Sequence, residues 1–283
     1  MYGELNFHIA EMLQSAGCDS PAFDADCLLQ DIGGLPRGER ARYMEEFVPP
    51  ELEEALLQAA KERAQGRPLQ YILGNWDFLN LTLKVGEGVL IPRPETELLC
   101  EIGAGFLRER ALPAPKVLDL CAGSGCVGLG VASLYPAADV TAVELSDEAF
   151  VYLCENCDAY RELTLRPVQL DVLTDADTFE GRYDLLLSNP PYIPSAVLPT
   201  LQREVQREPR MALDGDVDGL RFYRAIADGW LSKLTAGGLA AVEVGIGQAQ
   251  AVAELFAARG LREIRITPDA SGIDRVVSGQ RIE

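Results

Sequence analysis

The side chains with most to offer chemically lie in Leu185-Leu186-Leu187-Ser188-Asn189-Pro190-Pro191-Tyr192. The apolar run reads as a buried strand, and two successive prolines end it, because they lack N–H donors and hold φ fixed. Asn189 then carries an amide, one acceptor and one donor group, on a stiff loop, and Tyr192 adds a flat ring. An amide and a ring held this way can grip a planar NH2-bearing group. An Asn that merely caps a proline-rich loop reads equally well from these residues alone.

Other polar residues fall at the ends of apolar runs: Asp119 before Cys121-Ala122-Gly123-Ser124-Gly125, Glu144 after Val140–Val143, and Asp171 after Val168–Leu170. Gly123 and Gly125 let a backbone approach a ligand closely at a helix N-terminus. The loop departs from the dinucleotide pattern G-x-G-x-x-G, since Cys121 holds the first turn position. It has no lysine, which excludes a phosphate-binding P-loop. A carboxylate at Glu144 can accept from both hydroxyls of a ribose, and Asp171 sits where an adenine amino group could be held. A glycine turn is often tight packing and a strand-end acid is often a helix cap. Four such features in order, on successive strands, point to one site.

These residues need a frame. From Lys116 onward apolar strands alternate with helical patterns, which predicts an α/β fold with a doubly wound, mainly parallel sheet. Within it, one helix is expected from Gly219 to about Leu234. Residues 1–70 show helical spacing only: Leu5, Ile9, Met12 and Leu13; then Phe23, Cys27 and Leu28; then Leu52, Leu56 and Leu57. Pro21 and Pro50 stand at helix starts, and a loop is expected over Gly33–Pro36. Residues 71–93 predict a hairpin linker, with one strand over Leu79–Val85, a turn at Gly86 and Gly88, and a second over Val89–Ile91. The main domain then spans 94–283.

The chain has 283 residues, one histidine, seven cysteines and a formal net charge of −19. Cys154-Glu155-Asn156-Cys157 is the sole C-x-x-C, and His8 is far from it, so no metal site is expected. The negative field repels phosphate backbones, so no stable nucleic-acid partner is expected. No apolar run approaches a membrane span, and Met1-Tyr2-Gly3-Glu4-Leu5-Asn6 lacks the marks of a signal peptide. A cytoplasmic protein with no membrane partner is expected.

The glycine loop, Glu144, Asp171 and Asn189-Pro190-Pro191-Tyr192 together resemble the S-adenosylmethionine-dependent class I methyltransferases with a Rossmann-like fold. One branch is similar over nearly the whole chain: the HemK/PrmC-type peptide-chain-release-factor glutamine N5-methyltransferases. Its marks are Pro68-Leu69-Gln70-Tyr71, Ile91-Pro92-Arg93-Pro94-Glu95-Thr96-Glu97, Arg207-Glu208-Pro209, Glu243-Val244-Gly245 and Asp274-Arg275. The family usually has glycine where Cys121 stands and threonine or a similar residue where Ala122 stands.

The resemblance implies S-adenosylmethionine as cofactor and S-adenosylhomocysteine as product, held by Cys121–Gly125, Glu144, Asp171, Val172 and Asn189. It implies catalysis by Asn189, Pro190 and Tyr192, with Pro191 completing the substrate-binding loop. It implies peptide chain release factors as protein substrate, methylated on the glutamine of their Gly-Gly-Gln loop. The abrupt change from helical spacing to alternation near Gly74 sets residues 1–70 apart as a helical domain expected to recognise that substrate. Other readings are an adenine N6 methyltransferase on DNA or RNA, a ribosomal-protein glutamine methyltransferase, and a non-catalytic adenosine-binding module.

Overall fold

The computed structural model describes residues 1–35 and 40–282. Pro36, at the end of the expected Gly33–Pro36 loop, and Glu283 lie outside the described residues. The chain divides into two compact units: Met1–Asn75 with Gln202–Arg207, and Trp76–Leu201 with Glu208–Glu283.

The first unit is helical: α1 (Tyr2–Ser15), α2 (Pro21–Gly33), α3 (Arg40–Tyr43), α4 (Pro50–Ala64) and α5 (Leu69–Leu73). Pro21 and Pro50 occupy first-turn positions, where their missing N–H costs nothing. Gly34, at φ 64°, ends α2 in the left-handed region, so the helix consumes Gly33. Leu5, Ile9 and Leu13 of α1 are buried, as are Leu28 of α2 and Leu56 of α4.

Phe23 does not face inward as its spacing suggested. It is 55% exposed, while Asp24 is buried. An ion pair makes that burial tolerable: Arg63 Nε donates to Asp24 at 2.7 Å, and Arg63 Nη1 donates to Glu204 at 2.7 Å. Glu204 belongs to the six-residue segment that joins this unit from far along the chain. Neighbouring Gln202 donates to Asp19, and Arg203 donates to the Ala64 carbonyl.

The second unit opens with a hairpin that differs from the expected one. Its strands are β1 (Asn75–Phe78) and β2 (Leu81–Lys84). Leu79 takes φ 53° and makes the turn with Asn80. The alternation from Leu79 to Val85 therefore overran a turn that no glycine or proline signals. Residues 89–91 form a bend and coil in place of the expected second strand; the Val89 N–H donates to the Gly86 carbonyl and the Ile91 N–H to the Glu208 carboxylate. The expected linker is thus divided at Asn75/Trp76, with residues 71–75 in the first unit and 76–93 in the second.

A 3-10 turn (Pro94–Thr96) leads into α6 (Glu97–Arg110). Then come β3 (Lys116–Leu120), α7 (Cys126–Leu134), β4 (Asp139–Glu144), α8 (Asp147–Ala159), β5 (Leu165–Gln169) and β6 (Tyr183–Ser188). After β6 come α9 (Arg210–Leu213), α10 (Arg221–Ala225), β7 (Leu234–Glu243), α11 (Ala249–Ala258), β8 (Leu261–Pro268) and β9 (Asp274–Arg281). The sheet order is β5-β4-β3-β6-β7-β9-β8. The first five strands are parallel, and β9 runs antiparallel between β7 and β8.

Both faces of the sheet are covered. Leu118, Leu186 and Ala240 enter one core with Tyr223, Trp230 and Phe256. Their neighbours Val117, Leu187 and Ala241 enter the other with Leu99, Leu107 and Leu129. Burial on both faces is why the strands read as unbroken apolar runs.

The helix expected over Gly219–Leu234 is broken. After α10 a π turn (Ile226–Trp230) and a 3-10 turn (Leu231–Lys233) intervene, and β7 already begins at Leu234. The irregular turns keep Ile226, Trp230 and Leu231 in the core and let Trp230 Nε1 donate to the Val172 carbonyl at 2.8 Å. Helical spacing alone does not distinguish these turns from a continuous helix.

Candidate active site

The parallel register sets four strand ends level. Val143, Leu120, Ser188 and Val242 are mutual neighbours across β4, β3, β6 and β7. The next residues, Glu144, Cys121, Asn189 and Glu243, therefore emerge side by side at the carboxyl edge. Strand order reverses between β3 and β6, and open α/β sheets bind ligands in the crevice at such a point. A cavity of about 490 Å³ opens there, a size suited to a small molecule.

Cys121, Ala122, Gly123 and Ser124 line the cavity, as do Glu144, Asp171, Val172 and Asn189. Gly125 stands just behind, capping α7 at φ 84°, where a Cβ would meet Leu153 at 2.7 Å. Pro191 is in the lining; Pro190 and Tyr192 are not. The Tyr192 ring packs against the sheet core.

The loop is held by backbone bonds, Ala122 N–H to Val143 O at 2.9 Å and Gly125 N–H to Ala122 O at 2.8 Å. Cys121 takes φ 59°, a left-handed conformation that suits glycine better than a residue with a Cβ. That strain costs on the order of 1 kcal/mol or more. Burial pushes the Cys121 thiol well above its usual range, so it stays protonated.

Gly123 donates its N–H to Glu144 Oε2 at 2.8 Å, and Glu144 Oε1 accepts from Leu145 and Ser146 N–H. Three backbone donors thus aim the Glu144 carboxylate at the cavity edge. Asp171 Oδ1 accepts from Leu173 N–H at 2.8 Å, which fixes the turn that carries Val172.

Asp119, on β3 just before the loop, is fully buried. Its Oδ2 accepts from Gly128 N–H at 2.9 Å, while its Oδ1 has no partner. Burial pushes its pKa up to about 8, with the Glu144 charge adding and the Gly128 N–H opposing. The buried Ser124 hydroxyl is also without a partner. At Gly123, φ 57°, nothing stands within 4 Å of where a Cβ would be. Unpaired polar atoms, an open glycine cradle and a strand-end carboxylate fit an adenosyl group with a polar tail.

Asn189 sits in a chain of side chains. Its Nδ2 donates to Thr96 Oγ1 at 3.1 Å, and Thr96 Oγ1 donates to Glu243 Oε2 at 2.6 Å. Tyr192 Oη donates to Glu243 Oε1 at 3.2 Å. Thr96 has one proton, directed at Glu243, so it receives from the Asn189 NH2 and leaves the Asn189 carbonyl oxygen for the cavity. Burial raises the Glu243 pKa, opposed by the Thr96 hydrogen bond and by Arg275. Burial also raises that of Tyr192, so its hydroxyl remains a donor.

Thr96 and Glu243 do not stand out as functional in the residue pattern; they occur only inside the family-like motifs. The same holds for Arg93, a cavity residue, and Glu208, which ion-pair. Sequence spacing could not reveal that these segments meet.

An open, mainly parallel sheet with a switch-point cavity, a strand-end carboxylate and an Asn-Pro-Pro-Tyr loop defines a class I methyltransferase. Residues 5–74 match the family described as the PrmC N-terminal domain, and residues 100–208 match the methyltransferase small domain. The chain is 39% identical to a release factor glutamine methyltransferase of Caulobacter vibrioides, over 95% of this chain and 92% of that one. It is 38% identical to one of Geobacter sulfurreducens, over 95% and 92%. A methyltransferase structure from Pyrococcus furiosus, at 16% identity, covers 72% of this chain and 90% of that one with a TM-score of 0.50, a likeness of fold alone. The chain belongs to the release factor glutamine methyltransferase family.

Proposed function

We propose that this protein transfers a methyl group from S-adenosylmethionine to the side-chain amide nitrogen, N5, of a glutamine in the Gly-Gly-Gln loop of peptide chain release factors, in the cytoplasm. The observation that carries the reading is the Asn189 amide, whose carbonyl is free for the cavity because its NH2 is bound to Thr96. An amide substrate needs acceptors for its NH2, and this loop supplies them. Membership of the family supports the same substrate.

Residues 121–125, Glu144, Asp171 and Val172 would hold the cofactor, which supplies an electrophilic methyl group and leaves as S-adenosylhomocysteine. Glu144 would accept from ribose hydroxyls. Asp171 and Val172 would face the adenine edge.

An amide nitrogen is a poor nucleophile, because its lone pair is delocalised into the carbonyl. Asn189 Oδ1 and the Pro190 carbonyl would both accept from the substrate NH2. Two acceptors orient the nitrogen and stabilise the positive charge that develops on it. Pro191 keeps the loop stiff, and Tyr192 braces it from behind through Glu243.

Asn189→Ala should lower turnover roughly a hundredfold or more, as loss of one preorganised polar group does. The assay is labelled-methyl incorporation into intact release factor at saturating cofactor, with duplex DNA, RNA and ribosomal protein as parallel substrates. Near-normal turnover in Asn189→Ala would remove Asn189 from the chemistry. Incorporation into nucleic acid or ribosomal protein, but not release factor, would replace the substrate.

A further inference from the structure

We infer that Glu243 is the positioning residue of the Asn-Pro-Pro-Tyr loop, setting through Thr96 which end of the Asn189 amide faces the substrate. The inference rests on the methyl-transfer reading above and centres on Glu243, which is not among the cavity's lining residues, acting through Thr96, which is.

Glu243 is 1% exposed and Thr96 is 1% exposed, so neither can exchange its partners for water. A carboxylate is acceptor-only. Its two oxygens receive two hydroxyls, from Thr96 and from Tyr192. Both ends of the substrate loop are thereby referred to one buried group on the neighbouring strand, whose register with β6 is fixed by the parallel ladder. Arg275 and Glu95 are the other charged groups acting on it, and the Tyr223 hydroxyl binds its backbone carbonyl.

The direction of the chain matters because an asparagine amide is nearly symmetric in shape. Rotated by half a turn, Asn189 would fill the same space and present NH2 to a substrate that is itself an NH2. Two donors would then face each other, and the amide nitrogen would lose the acceptor that orients it. Shape cannot exclude the rotated form; only the proton order Asn189 → Thr96 → Glu243 does.

Removing a link should therefore act on turnover and act only through Asn189. Thr96→Val keeps the volume and deletes the hydroxyl. Glu243→Gln keeps the size but adds an NH2 that can donate to Thr96 and reverse the chain. Each should lower turnover on intact release factor by roughly ten- to a hundredfold, as small misplacements of reacting groups do. Cofactor affinity by calorimetry should stay within about twofold, and Thr96→Ser should restore most of the turnover.

The decisive measurement is a double-mutant cycle. In an Asn189→Ala background, Thr96→Val and Glu243→Gln should cause no further loss, because the group they orient is gone. Equal losses in both backgrounds would show a general structural role and overturn the inference, while leaving the role of Asn189 intact. Undiminished turnover in Asn189→Ala itself would overturn both, so the two failures are distinguishable. Thermal unfolding of each folded variant checks that the losses are read on native protein.

Discussion

Burial of Asp119 at the end of β3 raises its pKa to about 8, so the folded chain keeps a proton that the unfolded chain releases near pH 4. The stability tied to that proton is fully present below about pH 4 and is lost as the pH rises through about 8. Asp119→Asn is neutral at every pH and can still accept from Gly128 N–H. The expected result is a shallower fall of Tm between about pH 5 and pH 8 in the variant than in the parent; identical slopes would mean that Asp119 is ionised in the folded state. At this scale the sequence was informative for residues that end an apolar run. Glu144, Asp171 and Asn189 announce themselves because a polar group follows a strand. Thr96 and Glu243 do not, because one lies in a single helical turn and the other, followed by apolar Val244, reads as the interior of a strand. Their importance arises from a contact across 147 positions of sequence, which local pattern does not encode.

The elements behind the substrate loop form a clasp of glycines. A Cβ at Gly215 would meet Tyr192 Cα at 2.8 Å, one at Gly245 would meet Tyr192 Cδ2 at 3.0 Å, and one at Gly219 would collide with the Tyr192 carbonyl and the Gln248 amide. Gln248 Nε2 in turn donates to that carbonyl at 2.8 Å. The clasp continues past Tyr192, where Ile193 exchanges backbone hydrogen bonds with Leu213 and Gly215. Gly219→Ala should therefore displace the loop, lowering turnover roughly tenfold or more while cofactor affinity changes little. Gly260→Ala is the matched control. It has φ 90° but nothing within 4 Å of the added carbon, so it pays the torsional strain alone and should cost stability without turnover. If both variants lose turnover equally, backbone strain rather than loop displacement is the cause. The order of strands and helices here was legible from alternation, since both-face burial leaves long apolar runs. The hairpin was not, because a left-handed Leu79 turns the chain where no glycine marks it.

At the scale of the whole molecule, we propose that the helical unit reads the protein substrate while the sheet unit carries the chemistry. Deleting residues 1–70 would be an ambiguous test. Gln202–Arg207 folds with the helical unit, so deletion strips Arg203 and Glu204 of their partners just upstream of Glu208 and the cavity residues that follow it. Surface substitution keeps the chain intact. Phe7, Phe23 and Phe47 are 66%, 55% and 86% exposed, and aromatic rings are the side chains enriched where proteins meet their partners. Replacing all three with serine should leave Tm unchanged or slightly raised. KM for intact release factor should rise about fivefold or more, the effect of removing roughly 1 kcal/mol of contact, with kcat and cofactor affinity near normal. A short peptide carrying only the Gly-Gly-Gln loop should be methylated equally by parent and variant, since it offers the helical unit nothing to hold. An equal rise in KM for peptide and protein would reject the division of labour, because the aromatic rings would then be acting on the chemistry of the loop and not on recognition of the larger substrate.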